Sequence, residues 1–228
     1  MQNDDVWLVV PLYNEATVIA QVVREARAVF PHVVCVDDGS KDGSAEAAAL
    51  AGAAVVRHPV NLGQGAALQT GFDYALGDPA MRYVVTFDAD GQHQIQDVEV
   101  MVERMRRGDV RVVFGSRFLD ERTEASASKR LVLRAAVAYT NLTTGTRLTD
   151  AHNGLRVLHR DVVERLDITQ NRMAHASEIV AQIGAMRFEG AKVAYAEAPV
   201  HILYTDSSRA KGQSLWNAVI ILAELIWR

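Results

Sequence analysis

A single cysteine, Cys35, stands in the 228 residues, so no disulfide can form within the chain. Positive charge is not in excess: 24 Lys and Arg face 28 Asp and Glu, a formal net charge of −4. That balance argues against a general nucleic-acid binder and confines any basic site to a local patch. No stretch reaches the roughly 18 to 20 consecutive apolar residues that span a bilayer. The opening Met1-Gln-Asn-Asp-Asp has neither the positive nor the apolar region of a signal peptide, which reads as cytoplasmic. Internal repeats and an interdomain linker are also missing. What is present is ordinary globular material, 49% apolar and 23% charged, enough for one large domain with a sizeable core.

The apolar pattern alternates between two periods. Val6–Leu12 is an almost unbroken apolar run, as in a strand buried on both faces. Helical spacing follows over 17–30, and a strand over 32–36 stops at Asp37-Asp38-Gly39-Ser40. The alternation continues with a helix over 44–51, a strand over 53–57, a helix over 65–76 and a strand over 83–87, then a helix over 96–107 and a strand over 110–114. A polar loop over 120–128 precedes a helix over 131–142. A strand or turn over 155–158, a helix over 174–186, strand pieces over 192–197 and 199–203 and a polar loop over 205–213 complete the pass. This order predicts an α/β fold, a mostly parallel sheet sandwiched by helices, with its ligand crevice outside the carboxyl ends of the strands.

Acidic and glycine-rich segments fall at those ends. Asp88-Ala89-Asp90-Gly91-Gln92-His93 follows an apolar strand, and two carboxylates flanking a small residue there suit Mg²⁺ or Mn²⁺ carrying a diphosphate, with Gln92 as a further oxygen. The competing reading is an acidic solvent-exposed turn. At Asp37-Asp38, Asp38 can accept from a base edge or a ribose, and the doubled charge calls for donors nearby; Ser40 and Ser44 read as capping or turn residues. Asn61-Leu62-Gly63-Gln64-Gly65 opens a helix and could approach a diphosphate through backbone N–H groups, although it is not a P-loop.

Taken with Val9-Val10-Pro11-Leu12-Tyr13-Asn14-Glu15 and Gly115-Ser116-Arg117, these segments, in this order, resemble the family 2 glycosyltransferases of GT-A fold. Within them the chain is most similar to the dolichyl-phosphate mannose synthase and polyprenyl-phosphate glycosyltransferase branch, over roughly Val6 to Gly212. The resemblance implies inverting transfer of a hexose or N-acetylhexosamine from a UDP- or GDP-sugar to polyprenyl phosphate. It implies Asp88, Asp90 and Gln92 as metal ligands, Asp90 and Arg117 as catalytic residues, and Pro11, Tyr13, Glu15, Val36, Asp38, Asp88 and Ala89 as the nucleotide-sugar site. Asp150-Ala151-His152-Asn153-Gly154-Leu155-Arg156 is similar to a later Asp-x-x-x-Gly-Phe-Arg segment of the family, with Leu155 for the aromatic. Gln64 departs from the usual lysine, and the segment around His175-Ala176-Ser177-Glu178 aligns only loosely.

An anionic acceptor needs positioning cations rather than a general base. Arg117, Arg130, Arg209 and Lys211 are the candidates for the acceptor phosphate, because a guanidinium fork can make two hydrogen bonds to one phosphate. Lys129, Arg130 and Arg134 could equally form a solvated helix face. Beyond a catalytic domain over 1–213, the segment 214–228 reads as an apolar helix whose polar residues Ser214, Asn217, Glu224 and Arg228 make one narrow seam. Such a helix can lie in the inner face of the cell membrane or dock on a small membrane subunit; alternatively it completes the protein's own core or a homo-oligomer contact. The rival functions are transfer to a glycan hydroxyl, which needs a carboxylate base; a sugar nucleotidyltransferase; and an inactive nucleotide-sugar-binding regulatory module.

Overall fold

The strand expected at Val6–Leu12 (β1) lies in the interior of the sheet, as its side chains, apolar toward both faces, require. A computed structural model describes residues 3–119, 137–151, 153–172 and 174–203. Val6, Leu8, Val10 and Leu12 enter one core, shared with Ile19, Val23 and Ala26 of helix α1 (Ile19–Val29) and Val98, Met101 and Met105 of α4 (Ile95–Arg106). Val9 enters the opposite core, with Leu68, Phe72 and Ala75 of α3 (Gln64–Leu76). The two-residue period of a strand thus divides one apolar run between two helical layers.

Strands β2 (His32–Asp37), β3 (Ala54–Arg57) and β4 (Tyr83–Thr86) run parallel to β1, with α2 (Ser44–Leu50) in the crossover from β2 to β3. The sheet order is β3-β2-β1-β4-β6-β5-β9, in which β5 spans Val112–Ser116, β6 Arg156–His159 and β9 Tyr195–Pro199. Only β6 opposes the common direction: it is antiparallel to β4 and β5, whereas β5 and β9 pair in parallel. Its reversal sets Arg156 opposite Thr86 on one side and Phe114 on the other, at the edge where β4 and β5 end.

Helices α5 (Arg160–Val163) and α6 (His175–Ala185) pack on the α3 side, as Val162, Val163, Ile179 and Ile183 of that core show. Where strand pieces are expected over 192–197 and 199–203, the structure has β9 and a small hairpin of β7 (Arg187–Phe188) and β8 (Ala191–Lys192). The hairpin turns on Glu189 and Gly190, both with positive φ, the geometry of tight two-residue loops. A two-residue strand is too short to leave an alternating signature in the sequence. Among the described residues no helix is long and apolar enough to cross a membrane. The expected apolar helix and domain boundary at 214–228, the loops over 120–128 and 205–213 and most of the helix over 131–142 lie outside the described residues, of which 137–144 are helical.

Cys35 sits in the α1-side core, and burial, seconded by the charge of Asp37, pushes its thiol pKa up to about 12. The folded protein should therefore leave a thiol reagent such as Ellman's unreacted at pH 8 and take up one equivalent only after denaturation.

Candidate active site

Because β1, β2 and β4 share one direction, the loops that follow them open on one edge of the sheet. There they enclose a cleft of about 500 Å³. Of the residues expected to hold a nucleotide sugar, Pro11, Tyr13, Glu15, Asp38, Asp88 and Ala89 line it, and so does Asp90. Val36 does not; its side chain is buried in the α3-side core. A second hollow of about 400 Å³, lined among others by Arg82, Arg111 and His159, lies at the opposite edge, away from the acidic pair.

The donors expected around Asp38 come from the protein itself. Asp38 is buried; its Oδ1 accepts the Leu62 N–H (2.8 Å) and its Oδ2 the Gly63 N–H (2.7 Å). His58 meets Oδ1 through Nδ1 at 2.8 Å and Thr70 Oγ1 through Nε2 at 2.9 Å. A carboxylate only accepts, so His58 Nδ1 carries the hydrogen. The two serines do not cap a helix; the N-cap position of α2 is Gly43. Ser40 Oγ accepts the Asn14 N–H (2.9 Å) and Ser44 Oγ the Glu15 N–H (2.8 Å), while Asp42 accepts the Ala16 N–H (3.1 Å). These bonds stitch the loop after β1 to the loop after β2 and fix Tyr13 and Glu15 on the cleft wall.

The glycines of Asn61-Leu62-Gly63-Gln64-Gly65 serve packing rather than an anion. A Cβ on Gly63 would lie 2.1 Å from the Asn171 carbonyl oxygen, and one on Gly65 would lie 2.1 Å from that of Gln170. The Gly65 N–H donates to Asn171 O (3.0 Å) and the Gly63 N–H to Asp38, so both amides are already used. Glu178 of α6 holds the incoming loop by accepting from the N–H groups of Thr169 and Gln170 and from Thr169 Oγ1.

Asp88 and Asp90 differ in surroundings. Asp88 Oδ2 faces His93 Nε2 at 2.9 Å and its Oδ1 accepts from Gln64 Nε2 at 3.3 Å. Gly154 makes room for it, since a Cβ there would lie 2.7 Å from Oδ2. Burial works against ionisation of Asp88, but His93 and then Arg156 prevail and hold its pKa below the ordinary aspartate value. Asp90 is pushed the other way, by burial and then by the charge of Asp88. Gln92 turns its amide nitrogen to Asp90 Oδ2 (2.6 Å) and its backbone N–H to Oδ1 (3.0 Å), and it is absent from the cleft wall. In this arrangement Gln92 braces Asp90 and presents no oxygen to the cleft. The donor set still fits a small hard cation: Mg²⁺ or Mn²⁺ is held by one or two carboxylates with water and substrate phosphates, not by an all-protein cage. Among the described residues no group of three or more His, Cys, Asp or Glu forms such a cage.

Arg117, expected as a catalytic residue, is not on the cleft wall; it forms a bidentate pair with the buried Asp150, through Nε (2.6 Å) and Nη2 (2.9 Å). Glu197 fixes the other side of that turn by accepting from the Thr149 and Asp150 N–H groups. Arg117 is thus engaged by a carboxylate, which a phosphate would have to displace. Arg130, Arg209 and Lys211 lie outside the described residues. Two groups on the wall had no role assigned by sequence reasoning: Arg156, just inside β6, and His175, which opens α6. The available signal was a lone arginine in the apolar run Leu155-Arg156-Val157-Leu158.

Comparison with known proteins agrees with this geometry. The family model described as "Glycosyl transferase family 2" matches residues 7–167. The chain is 32% identical over 231 residues to an undecaprenyl-phosphate 4-deoxy-4-formamido-L-arabinose transferase of Pseudomonas aeruginosa, covering 96% of this chain and 62% of that protein. It is 26% identical over 248 residues to a UDP-N-acetylglucosamine–dolichyl-phosphate N-acetylglucosaminyltransferase of Methanococcus voltae, covering 99% and 96%. Glucosyl-3-phosphoglycerate synthase from Mycobacterium tuberculosis, solved with Mn²⁺, UDP-glucose and phosphoglyceric acid, superposes with a TM-score of 0.69 at 20% identity, covering 97% of this chain and 77% of that one. That last likeness establishes the GT-A fold.

The packing reading of the glycines is open to direct test. Gly65→Ala should destabilise the protein by about 1–3 kcal/mol in urea unfolding, since the new methyl must displace a backbone carbonyl. An exposed helix glycine in open space would instead gain stability from the same change.

Proposed function

The chain belongs to glycosyl transferase family 2, and from that premise we propose that it is a metal-dependent, inverting transferase of a hexose or N-acetylhexosamine from a UDP- or GDP-sugar to polyprenyl phosphate. The observation that carries the reading is the Asp88/Asp90 pair on the wall of a cleft whose other end is built from the stitched loops after β1 and β2. The lipid-phosphate acceptor is supported by the relatives named for undecaprenyl and dolichyl phosphate, the first of which is longer than this chain.

In this reading Pro11, Tyr13 and Glu15 receive the nucleoside, and Asp38 acts through the loop it holds as well as from the wall. The acceptor phosphate oxygen attacks the anomeric carbon from the face opposite the diphosphate. The new C–O bond forms as the bond to the diphosphate breaks, and the electron pair leaves with the nucleoside diphosphate. Phosphate is already anionic, so no base is required. Asp88 and Asp90 would hold Mg²⁺ or Mn²⁺, which when bound neutralises charge on the departing diphosphate. Gln92 keeps Asp90 oriented for that task.

The acceptor phosphate would be drawn by Arg117, in competition with Asp150, and by Arg130, Arg209 and Lys211. The Leu203 N–H donates to Gln92 O at 3.0 Å, so the chain passes beside the acidic loop six residues before Arg209. A membrane-embedded acceptor places the enzyme at the inner face of the membrane, with 214–228 as the contact segment.

Calorimetric titration with UDP and GDP, each with and without Mn²⁺, tests the assignment. One nucleotide should bind in a Mn²⁺-dependent way, and Asp90→Ala should weaken that binding by about 100-fold or more; unchanged binding would remove Asp90 from the site. The pH dependence has a definite sign. A proton on Asp90 removes the charge that attracts the cation, and its pKa is raised from 3.8, so Mn²⁺-dependent binding should fall as pH drops, with a midpoint above 3.8. Nucleotide binding measured without metal should not follow that curve.

A further inference from the structure

Arg156 has an expensive position. Its backbone N–H donates to Thr86 Oγ1 at 3.1 Å; it stands on β6, between β4 and β5, and its side chain, 1% exposed, belongs to the cleft wall. No hydrogen bond joins its guanidinium to any described residue, and Nε and Nη2 are both buried without a partner. Burial lowers its pKa to about 10 against the pull of Asp88 and Asp150, so it remains a cation at neutral pH. An ion buried without hydrogen bonds is among the costliest features a fold can hold, and folds keep such features where a ligand completes them.

His175 supplies the complementary function. Its Nδ1 lies 2.7 Å from the Arg172 carbonyl oxygen, which only accepts, so Nδ1 carries the hydrogen and Nε2 offers a lone pair. Burial keeps its pKa below the ordinary histidine value, so the ring is neutral at pH 7. His175 and Arg156 line the same cleft as Asp88.

Position along the sheet edge identifies the ligand part. Tyr13, Asp38 and Asn61 follow β1, β2 and β3; the acidic pair follows β4; Arg156 belongs to β6, the next strand out. A nucleotide sugar laid across these ends, nucleoside over β1 and β2 and diphosphate at Asp88 and Asp90, extends its sugar over β6 and the start of α6. We infer that Arg156 and His175 form the donor-sugar subsite, the guanidinium donating to one ring hydroxyl and His175 Nε2 accepting from a neighbouring one. The inference rests on the proposed nucleotide-sugar reading and narrows it to a neutral hexose with free hydroxyls toward β6. Asp88 and Asp150 already balance the guanidinium, so no carboxylate on the sugar is called for.

The test compares Mn²⁺-dependent binding of UDP and GDP with that of UDP-glucose, UDP-N-acetylglucosamine and GDP-mannose, in the unmodified protein, His175→Phe and Arg156→Lys. The lysine keeps the charge beside Asp88 and loses the fork. Each variant should bind the free nucleoside diphosphate within about twofold of the unmodified protein, lose about tenfold in affinity for the preferred nucleotide sugar, and discriminate less among sugars. His175→Gln, with an amide that can serve both Arg172 and a hydroxyl, should recover part of the loss. Equal losses for nucleotide and nucleotide sugar, or no loss for either, would overturn the subsite. So would an unmodified protein that binds nucleotide and gains nothing from any sugar, an outcome that leaves the transferase reading standing. Binding of no nucleotide at all would overturn that reading and the subsite with it. Thermal melts identify a variant that has lost its fold, and the remaining variant then decides.

Discussion

The cleft depends on one buried carboxylate. Asp38 gathers the amides of Leu62 and Gly63 and the ring of His58, which fixes the chain entering α3. From there the restraint passes on: Gly65 binds Asn171, Glu178 gathers Thr169 and Gln170, and α6, which carries Glu178, begins with His175. Hydrogen bonds therefore run continuously from the end of β2 to the far wall of the cleft. Most of these links tie a backbone N–H to a carboxylate or a carbonyl of the protein, so the wall is braced internally and a ligand need not supply that ordering.

Charge along the same edge is arranged by opposition. Asp88 is held ionised by His93 and Arg156, whereas Asp90 feels Asp88 itself and is held less so. The charge of Asp88 raises the pKa of Asp90, and a cation beside the pair would relieve that repulsion. Arg117 and Asp150 form a bidentate pair one strand away, braced by Glu197, and Asp150 also acts on Arg156. The contrast between two arginines on neighbouring strands is informative. Arg117 pairs its fork with Asp150, while Arg156 has Nε and Nη2 buried without a partner.

Much of the fold was legible in the sequence because buried parallel strands announce themselves as apolar runs ending in acidic or glycine-rich turns. β1, β2 and β4 appear where those runs lie, and Asp38, Asp88 and Asp90 reach the cleft because strand ends in one direction must share an edge. Other features were not legible. The reversal of β6 is a tertiary choice that a four-residue strand cannot encode locally, and it alone brings Arg156 to the site. The roles of Ser44, Gly63 and Gly65 do not separate in the sequence, because a cap, a turn, an anion cradle and a close backbone contact all ask for the same small residues. Only the partner segment, Asn14–Ala16 in one case and 170–171 in the other, separates these meanings, and it lies far away in the chain.

The departure at Gln64 follows from the same electrostatics. A lysine there would stand beside Asp88 Oδ1, adding a full charge to a carboxylate that His93 and Arg156 already stabilise as an anion. A neutral amide keeps the hydrogen bond without that charge, so Asp88 retains more of its field for a cation in the cleft. Arg156 is then the protein's own fixed cation on the described cleft wall, placed away from the α3 side. In the proposed function, a glutamine in place of lysine would leave more of the neutralisation of a diphosphate to a bound metal ion.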